Sequence, residues 1–320
     1  MGSFAPTASA ETTEVKLARQ YGIHYLPLVV MQKEHLIEKR AKAAGIGDLK
    51  VTWAQLSGGA SANDAVLAGA IDFAAGGVGP LIQIWDKSSG NIGVKGVAAV
   101  SEVPMTLTTR NPAVKGIEDF TAKDKIALPA VKTSMQAVTL QMAAAKKWGD
   151  ENYQRLDKYT VSMKHPDAMA ALLSGKGIDS HFTAAPYDFL ELERPEIHAV
   201  LDSFDVYGGP ATLISLYATK KFHDNNPHIY KVVLEALGEA MELIRHDKRK
   251  AAEIYLEVTK EKIPLDTLVK IVNNPKINFQ LAPRNTLPIA RFMYRIGRIS
   301  HEPSSWKDMY FPEAHELKGS

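Results

Sequence analysis

The sequence predicts an α/β fold in two lobes, each a central sheet with flanking helices, with a cleft between them. Three observations predict it. Short apolar strands alternate with helical stretches through the first hundred or so residues, and the same alternation restarts after about residue 104. Gly208-Gly209-Pro210 then breaks the series. Beyond it lie one more apolar strand and a long run of helices. That order builds the first lobe from both chain ends, 14–103 plus 208–312, and inserts the second lobe, 104–207, between them. Residues 1–13 and 313–320 are expected as flexible tails. The two connections, near Ser101–Thr108 and Ser203–Gly209, are the expected hinge.

The elements follow in order. Val15 to Tyr21 reads as a strand ended by Gly22. Leu28 to Ala44 reads as one long amphipathic helix, with Val29, Leu36 and Ile37 on its buried stripe and Lys33, Glu34, Glu38 and Lys39 outward. Gly45 and Gly47 stop it. Leu49–Leu56 is the next strand, and Asn63–Ala70 the next helix. Ile71–Ala75, Leu81–Lys87 and Gly96–Val100 complete a strand–helix–strand series. Sheets built this way are expected to be parallel with right-handed crossovers. The second unit gives strands at 125–129, 158–164, 178–182 and 198–204, with helices up to Trp148, at 166–173 and at 185–192. Ala211–Ala218 is a last strand. Helices are expected at 229–245, 248–258, 264–273 and 288–299, with Pro264 and Pro288 in first turns, where a missing N–H costs nothing.

Composition narrows the function. The chain has 320 residues, 45% hydrophobic and 23% charged, with a net charge of +2. Near-neutrality gives no reason to expect nucleic acid as a partner. With no cysteine, disulfides, thiolate catalysis and cysteine-ligated metal are excluded. The histidines form no H-E-x-x-H or similar metal motif, no G-x-S-x-G elbow is present, and no dinucleotide or P-loop fingerprint stands in a strand–helix context. No cofactor is expected. Glu191, Glu193 and Glu196 read as a solvated acidic face, and Trp53 as core. Ala8-Ser9-Ala10 has the small-x-small pattern of a signal-peptidase site, without the basic and apolar regions that should precede it. The expectation is an exported chain whose signal has been trimmed.

Ligands bind beyond the carboxyl ends of the strands in such sheets. Four small-residue turns occupy that position: Ser57-Gly58-Gly59-Ala60-Ser61, Gly76-Gly77-Val78, Lys132-Thr133-Ser134 and Thr183-Ala184-Ala185. Backbone approaches a ligand closely where side chains are this small. Helix N-termini carry unpaired N–H groups that seat an oxyanion. His24 and Tyr25 follow the first strand, at the edge of the expected cleft. His181 and Tyr187 flank the fourth turn, and Tyr207 sits at the second connection.

Four stretches taken together resemble the nitrate/sulfonate/taurine-type family of ABC-transporter solute-binding proteins, over about residues 14–312. They are YGIHYLPLVVMQKEHLIEKRAKAAGI, SGGASANDAVLAGAIDFAAGGVGP, ALPAVKTSMQAVTLQMAAAKKWG and FMYRIGRISHEPSSWKDMYFPE. The resemblance implies a type II periplasmic-binding-protein fold. It implies a ligand held by Ser57 to Ser61, Gly76 to Val78 and Thr133-Ser134, and a tryptophan-containing tail that closes the first lobe. Lys132-Thr133-Ser134 departs from the pattern, since relatives often carry Gly before the Ser or Thr. The family also includes enzymes of thiamine-pyrimidine synthesis with a cysteine-rich motif, which this chain lacks. The implied function is capture of a small organic anion, sulfonate- or carboxylate-like, for delivery to a membrane permease. A monomer in the periplasm, or anchored at the cell surface, is expected. An enzyme acting on a small heterocycle, and the sensor domain of a regulator, are the alternatives.

Overall fold

The computed structural model describes residues 11–320, so Ala8-Ser9-Ala10 lies outside the described residues. Strand β1 (Glu14–Arg19) is followed by a 3-10 turn at Ile23–Tyr25. The single helix expected next is two, α1 (Leu26–Glu34) and α2 (Leu36–Ala43). His35 separates them with a left-handed backbone, φ 52°. The apolar stripe continues across the break, and Val29, Leu36 and Ile37 are all buried, which is why periodicity alone does not reveal it. Gly45 ends α2, its N–H reaching Lys42 O at 3.1 Å while Ile46 N–H reaches Ala41 O at 2.9 Å, the paired bonds of a left-handed C-terminal cap.

β2 (Lys50–Gln55), α3 (Gly59–Leu67), β3 (Phe73–Gly77), α4 (Val78–Ser88) and β4 (Val94–Ser101) complete the first series. The next element, β5 (Met105–Thr109), was not expected. Its Met-Thr-Leu-Thr-Thr alternation lies within the segment read as a connection, and what crosses between the sheets here is only residues 102–104. β6 (Ile126–Leu128), α5 (Met135–Trp148), β7 (Thr160–Ser162), α6 (His165–Ser174), β8 (Ser180–Ala184), α7 (Tyr187–Leu192), β9 (His198–Asp202) and α8 (Ser203–Tyr207) follow. β10 (Ile214–Thr219) and α9 (Lys220–Asn225), α10 (Pro227–His246), α11 (Lys248–Thr259), α12 (Leu265–Val272) and α13 (Thr286–Arg295) complete the named elements.

The strands form two five-stranded sheets, β2-β1-β3-β10-β4 and β7-β6-β8-β5-β9, one in each lobe. Neither is purely parallel, which corrects the expectation. β10 runs antiparallel to both β3 and β4, and β5 runs antiparallel to β8 and β9. The reason is geometric. Each is the first strand after the chain crosses from the other lobe, so it starts at the inter-lobe side, whereas β1, β3, β6 and β8 end there.

The C-terminal segment seals the first sheet. Trp306, Tyr310 and Phe311 are buried, the Trp85 indole N–H donates to Asp308 O at 3.0 Å, and Tyr310 bridges Gly96 at the edge of β4. Ser320 lies beside 283–286, its N–H on Pro283 O and its O accepting from Thr286 N–H, each at 2.9 Å. A methyl group on Gly96 would stand 2.3 Å from the Tyr310 ring, whose hydroxyl is held at 2.8 Å from Ser215 Oγ. Overpacking of this kind costs about 1–3 kcal/mol. Gly96→Ala is therefore expected to lower the unfolding free energy by that amount, read as a lower urea midpoint with an unchanged m-value, and an unaltered midpoint would show that Tyr310 does not hold this edge.

Candidate functional site

A narrow gap separates the lobes at the carboxyl ends of the parallel strands. From the first lobe it is lined by Gln20, Tyr21, His24, Tyr25, Ser57, Gly59, Gly77, Pro80, Leu213 and Ile214. From the second come Pro129, Ser134, Met135, Gln136 and His165. The cavity it leaves is about 30 Å³, so the lobes are nearly shut.

The lining is built from helix beginnings. Tyr25 caps α1, Gly59 opens α3, Gly77 caps α4, Ser134 caps α5 and His165 opens α6. Each supplies the positive end of a helix dipole and first-turn N–H groups that have no partner within the helix. Among the described residues no hydrogen bond engages the N–H groups of Gly59, Ala60, Met135 or Gln136. The α4 terminus contributes less, because Val78 N–H is held by Leu213 O at 3.1 Å and Gly79 N–H by Met135 Sδ at 3.2 Å. Among the described residues no Lys, Arg, Asp or Glu lines the gap. Arg19, next to the lining Gln20 in sequence, is buried, and its Nε lies 3.4 Å from Gln32 Oε1.

His24 stands out within this lining. It is 3% exposed and its Nδ1 has no hydrogen-bond partner, which costs about 1–3 kcal/mol if left unsatisfied. Burial, then the proximity of His165, depresses its pKa to about 3, so the ring is neutral. Gly22 makes its position possible: φ is +112°, and a Cβ there would lie 2.3 Å from His24 Cε1. The Tyr25 hydroxyl, pushed up by burial, makes no hydrogen bond among the described residues. Gln20 donates to Ala75 O at 3.0 Å, leaving its amide oxygen for the gap.

Of the residues named from sequence, the gap gathers His24, Tyr25, Ser57, Gly59, Gly77 and Ser134. The others stand behind or beside it. Gly58 faces Pro129 across the lobes, and Ser61 Oγ bonds Gly58 O at 2.8 Å. Ala60 and Thr133 line a neighbouring cavity of about 200 Å³. Gly76 lies within β3, opposite Ser215, and Val78 is held by Leu213. Lys132 adopts φ +64° and its carbonyl accepts from Arg298. The Tyr207 hydroxyl bonds Thr139 Oγ1. Thr183 is not in a turn: it belongs to β8, buried, with Oγ1 3.0 Å from His165 Nδ1.

Sequence reasoning missed Gln20, Gln136 and His165. His165 carried a readable signal, standing directly before the Pro166 of a predicted helix and so at its first turn. One reading is overturned. Glu191 is not on a solvated face but fully buried, with Oε1 2.6 Å from His181 Nδ1. Asp188 and Glu191, three apart on α7, point the same way into the lobe and are both buried.

Residues 8–257 match the model of the NMT1-like family. No curated protein matches the chain. Among solved structures it is similar to the alkanesulfonate-binding protein SsuA from Xanthomonas axonopodis pv. citri bound to MOPS, with 17% identity, TM-score 0.73, and coverage of 92% of this chain and 96% of that one. It is also similar to the periplasmic nitrate-binding protein NrtA from Synechocystis PCC 6803, with 13% identity, TM-score 0.71, and coverage of 93% and 84%. A conserved Candida albicans gene product with the generic periplasmic binding protein fold gives 10% identity, TM-score 0.70, and coverage of 93% and 96%. These likenesses establish the fold. With most of its length matched, the chain belongs to the NMT1-like family.

Proposed function

We propose that this protein is the solute-binding component of a bacterial ABC importer, exported to the periplasm or cell surface, which captures one small anion between its lobes and hands it to a membrane permease. The observation that carries this reading is the gap itself: helix N-termini of both lobes, with unengaged N–H groups, around a space that contains no carboxylate to repel an anion. The similar alkanesulfonate- and nitrate-binding proteins support an oxyanion. The narrowness of the gap favours a compact sulfonate- or carboxylate-like head group.

The energetics are adequate. One partly buried helix terminus contributes up to about 2 kcal/mol, and a micromolar complex needs roughly 8 kcal/mol. Three or four termini reach that range together with His24, whose Nδ1 would gain a partner. Two lobes are needed to bring that many termini to one point, so capture and closure are one event, and a ligand shifts the lobes only by preferring the closed arrangement.

The closed arrangement has its own fastenings. Ile23 N–H donates to Ala185 O at 3.0 Å, Gln83 Nε2 to Thr133 O at 3.1 Å, and the Tyr187 hydroxyl to Glu261 Oε1 at 3.0 Å. Glu261 also accepts from Tyr255 at 3.0 Å. Removing this shared acceptor leaves two buried hydroxyls without a partner. Glu261→Ala is expected to enlarge the radius of gyration of the ligand-free protein in small-angle scattering. An unchanged radius would mean that this contact does not hold the lobes.

Titration calorimetry against nitrate, formate, acetate, methanesulfonate and taurine is expected to give one saturable site in the micromolar range for at least one anion. His24→Leu should weaken that site about 10- to 100-fold, equivalent to losing one buried polar contact, without lowering the melting temperature. Conversion of any of these compounds by the purified protein, or binding unaffected by His24→Leu, would overturn the reading.

A further inference from the structure

Behind the gap a line of buried polar side chains runs into the second lobe. Gln136 Nε2 lies 3.3 Å from His165 Nε2. His165 Nδ1 lies 2.9 Å from His181 Nε2, and His181 Nδ1 lies 2.6 Å from Glu191 Oε1. Thr108 Oγ1 closes the far end, donating to Glu191 Oε2 at 2.7 Å. His165 is 6% exposed and His181 and Glu191 are 0% exposed. The line begins at Gln136 on α5, passes His165 at the start of α6 and His181 on β8, and reaches Glu191 on α7, where Thr108 of β5 closes it.

Its hydrogen bonds run in only two consistent ways. With three protons on the Glu191–His181–His165 set, Glu191 donates to His181 Nδ1, His181 Nε2–H donates to His165 Nδ1, and His165 Nε2–H is left for Gln136 and the gap that both residues line. Moving a proton along the line to make a carboxylate–imidazolium pair leaves His165 Nε2 protonated. With two protons every bond reverses: His181 Nδ1–H donates to the Glu191 carboxylate, His165 Nδ1–H donates to His181 Nε2, and His165 Nε2 becomes an acceptor. The forms differ by one proton, released to solvent through the gap. The Gln136 amide serves either form by turning its oxygen or its nitrogen toward the ring. Thr183 Oγ1, 3.0 Å from His165 Nδ1, does so by rotating its hydroxyl.

We propose that Glu191, His181 and His165 act as one polarity switch for the gap, making it a donor toward an anion while the set holds its third proton and an acceptor once that proton is lost. Glu191 and His181 are positioning residues, acting on the ligand only through His165. The consequence for anions rests on the function proposed above; the tautomer change does not.

The direction of the pH effect follows from burial. Burial pushes Glu191 up to about 8, opposed by the Thr108 hydrogen bond. Burial lowers His181 to about 3, and burial with the proximity of His181 lowers His165. The third proton is thus held on neutral groups through neutral pH and lost as pH rises through about 8. Above that point anion affinity should fall about tenfold per pH unit, as one linked proton requires. The other titratable groups facing the line are Tyr187, stacked on His165 at 5.6 Å, His24 across the gap, and Asp188 on α7, which accepts from Thr106 at 2.9 Å and is pushed up to about 7.

The test is long-range ¹H–¹⁵N spectroscopy of histidine-labelled, full-length protein without ligand, from pH 6 to 10. His165 Nε2 is expected to carry a proton at pH 7 and to lose it at high pH, with His181 and His165 changing tautomer at one shared midpoint. Glu191→Gln can donate its amide N–H to His181 Nδ1 and accept from Thr108, so it should keep His165 Nε2 protonated throughout. Asp188→Asn should preserve the transition. A His165 Nε2 without a proton at pH 7, one still protonated at pH 10 in the unsubstituted protein, or a transition lost in Asp188→Asn would each overturn the proposal. Since no ligand is added, failure of the anion-binding reading would leave these spectra unchanged and would show only in calorimetry.

Discussion

The rest of the structure depends on one arrangement: helix N-termini of both lobes, with first-turn N–H groups left unengaged among the described residues, converge on one narrow gap. Among the described residues the lining holds no lysine or arginine. What it offers is the positive ends of helices that begin where the parallel strands stop. A single terminus is too weak to hold a ligand, so several must converge, and they must come from two bodies for the ligand to enter and leave. Under the proposed anion capture, the two-lobed architecture is what meets that electrostatic requirement.

The sheets serve the same end. β1, β2 and β3 in one lobe, and β6 and β7 in the other, deliver their carboxyl ends and the following turns to the gap. The reversed strands β5 and β10 let the chain cross between lobes at the inter-lobe side and return. Leu213 and Ile214, at the start of β10, line the gap directly. The polar interior of the second lobe is then not an incidental feature. Burying Glu191 with His181 and His165 costs desolvation that only a completed hydrogen-bond line offsets, and that line ends at the gap.

Much of the fold was legible because alternation of strand and helix is a strong periodic signal, and turns rich in Gly and Ser mark where strands give way to helices. Gly59, Gly77 and Ser134 were found that way. The break at His35 was hidden because both flanking helices bury the same stripe. β5 was hidden because its short alternating run coincides with the crossing between lobes. The parallel expectation failed for β5 and β10 because strand direction is set by where the chain re-enters a sheet, which no local pattern encodes. Glu191 was misread for a related reason. Three glutamates close together look solvated, and only the helical phase of Asp188 and Glu191 separates the inward pair from Glu193 and Glu196. His165 and Gln136 needed tertiary placement, since their partners lie 16 and 29 residues away along the chain.

The most direct measurement is an amide ¹H–¹⁵N titration of the intact protein with the anion that binds most tightly. Gly59 and Ala60 at the start of α3, and Met135 and Gln136 at the start of α5, should move downfield along one common saturation curve, as N–H groups of both lobes take up the same ligand. Shifts confined to one lobe, or a ligand that perturbs neither helix start, would contradict the shared gap.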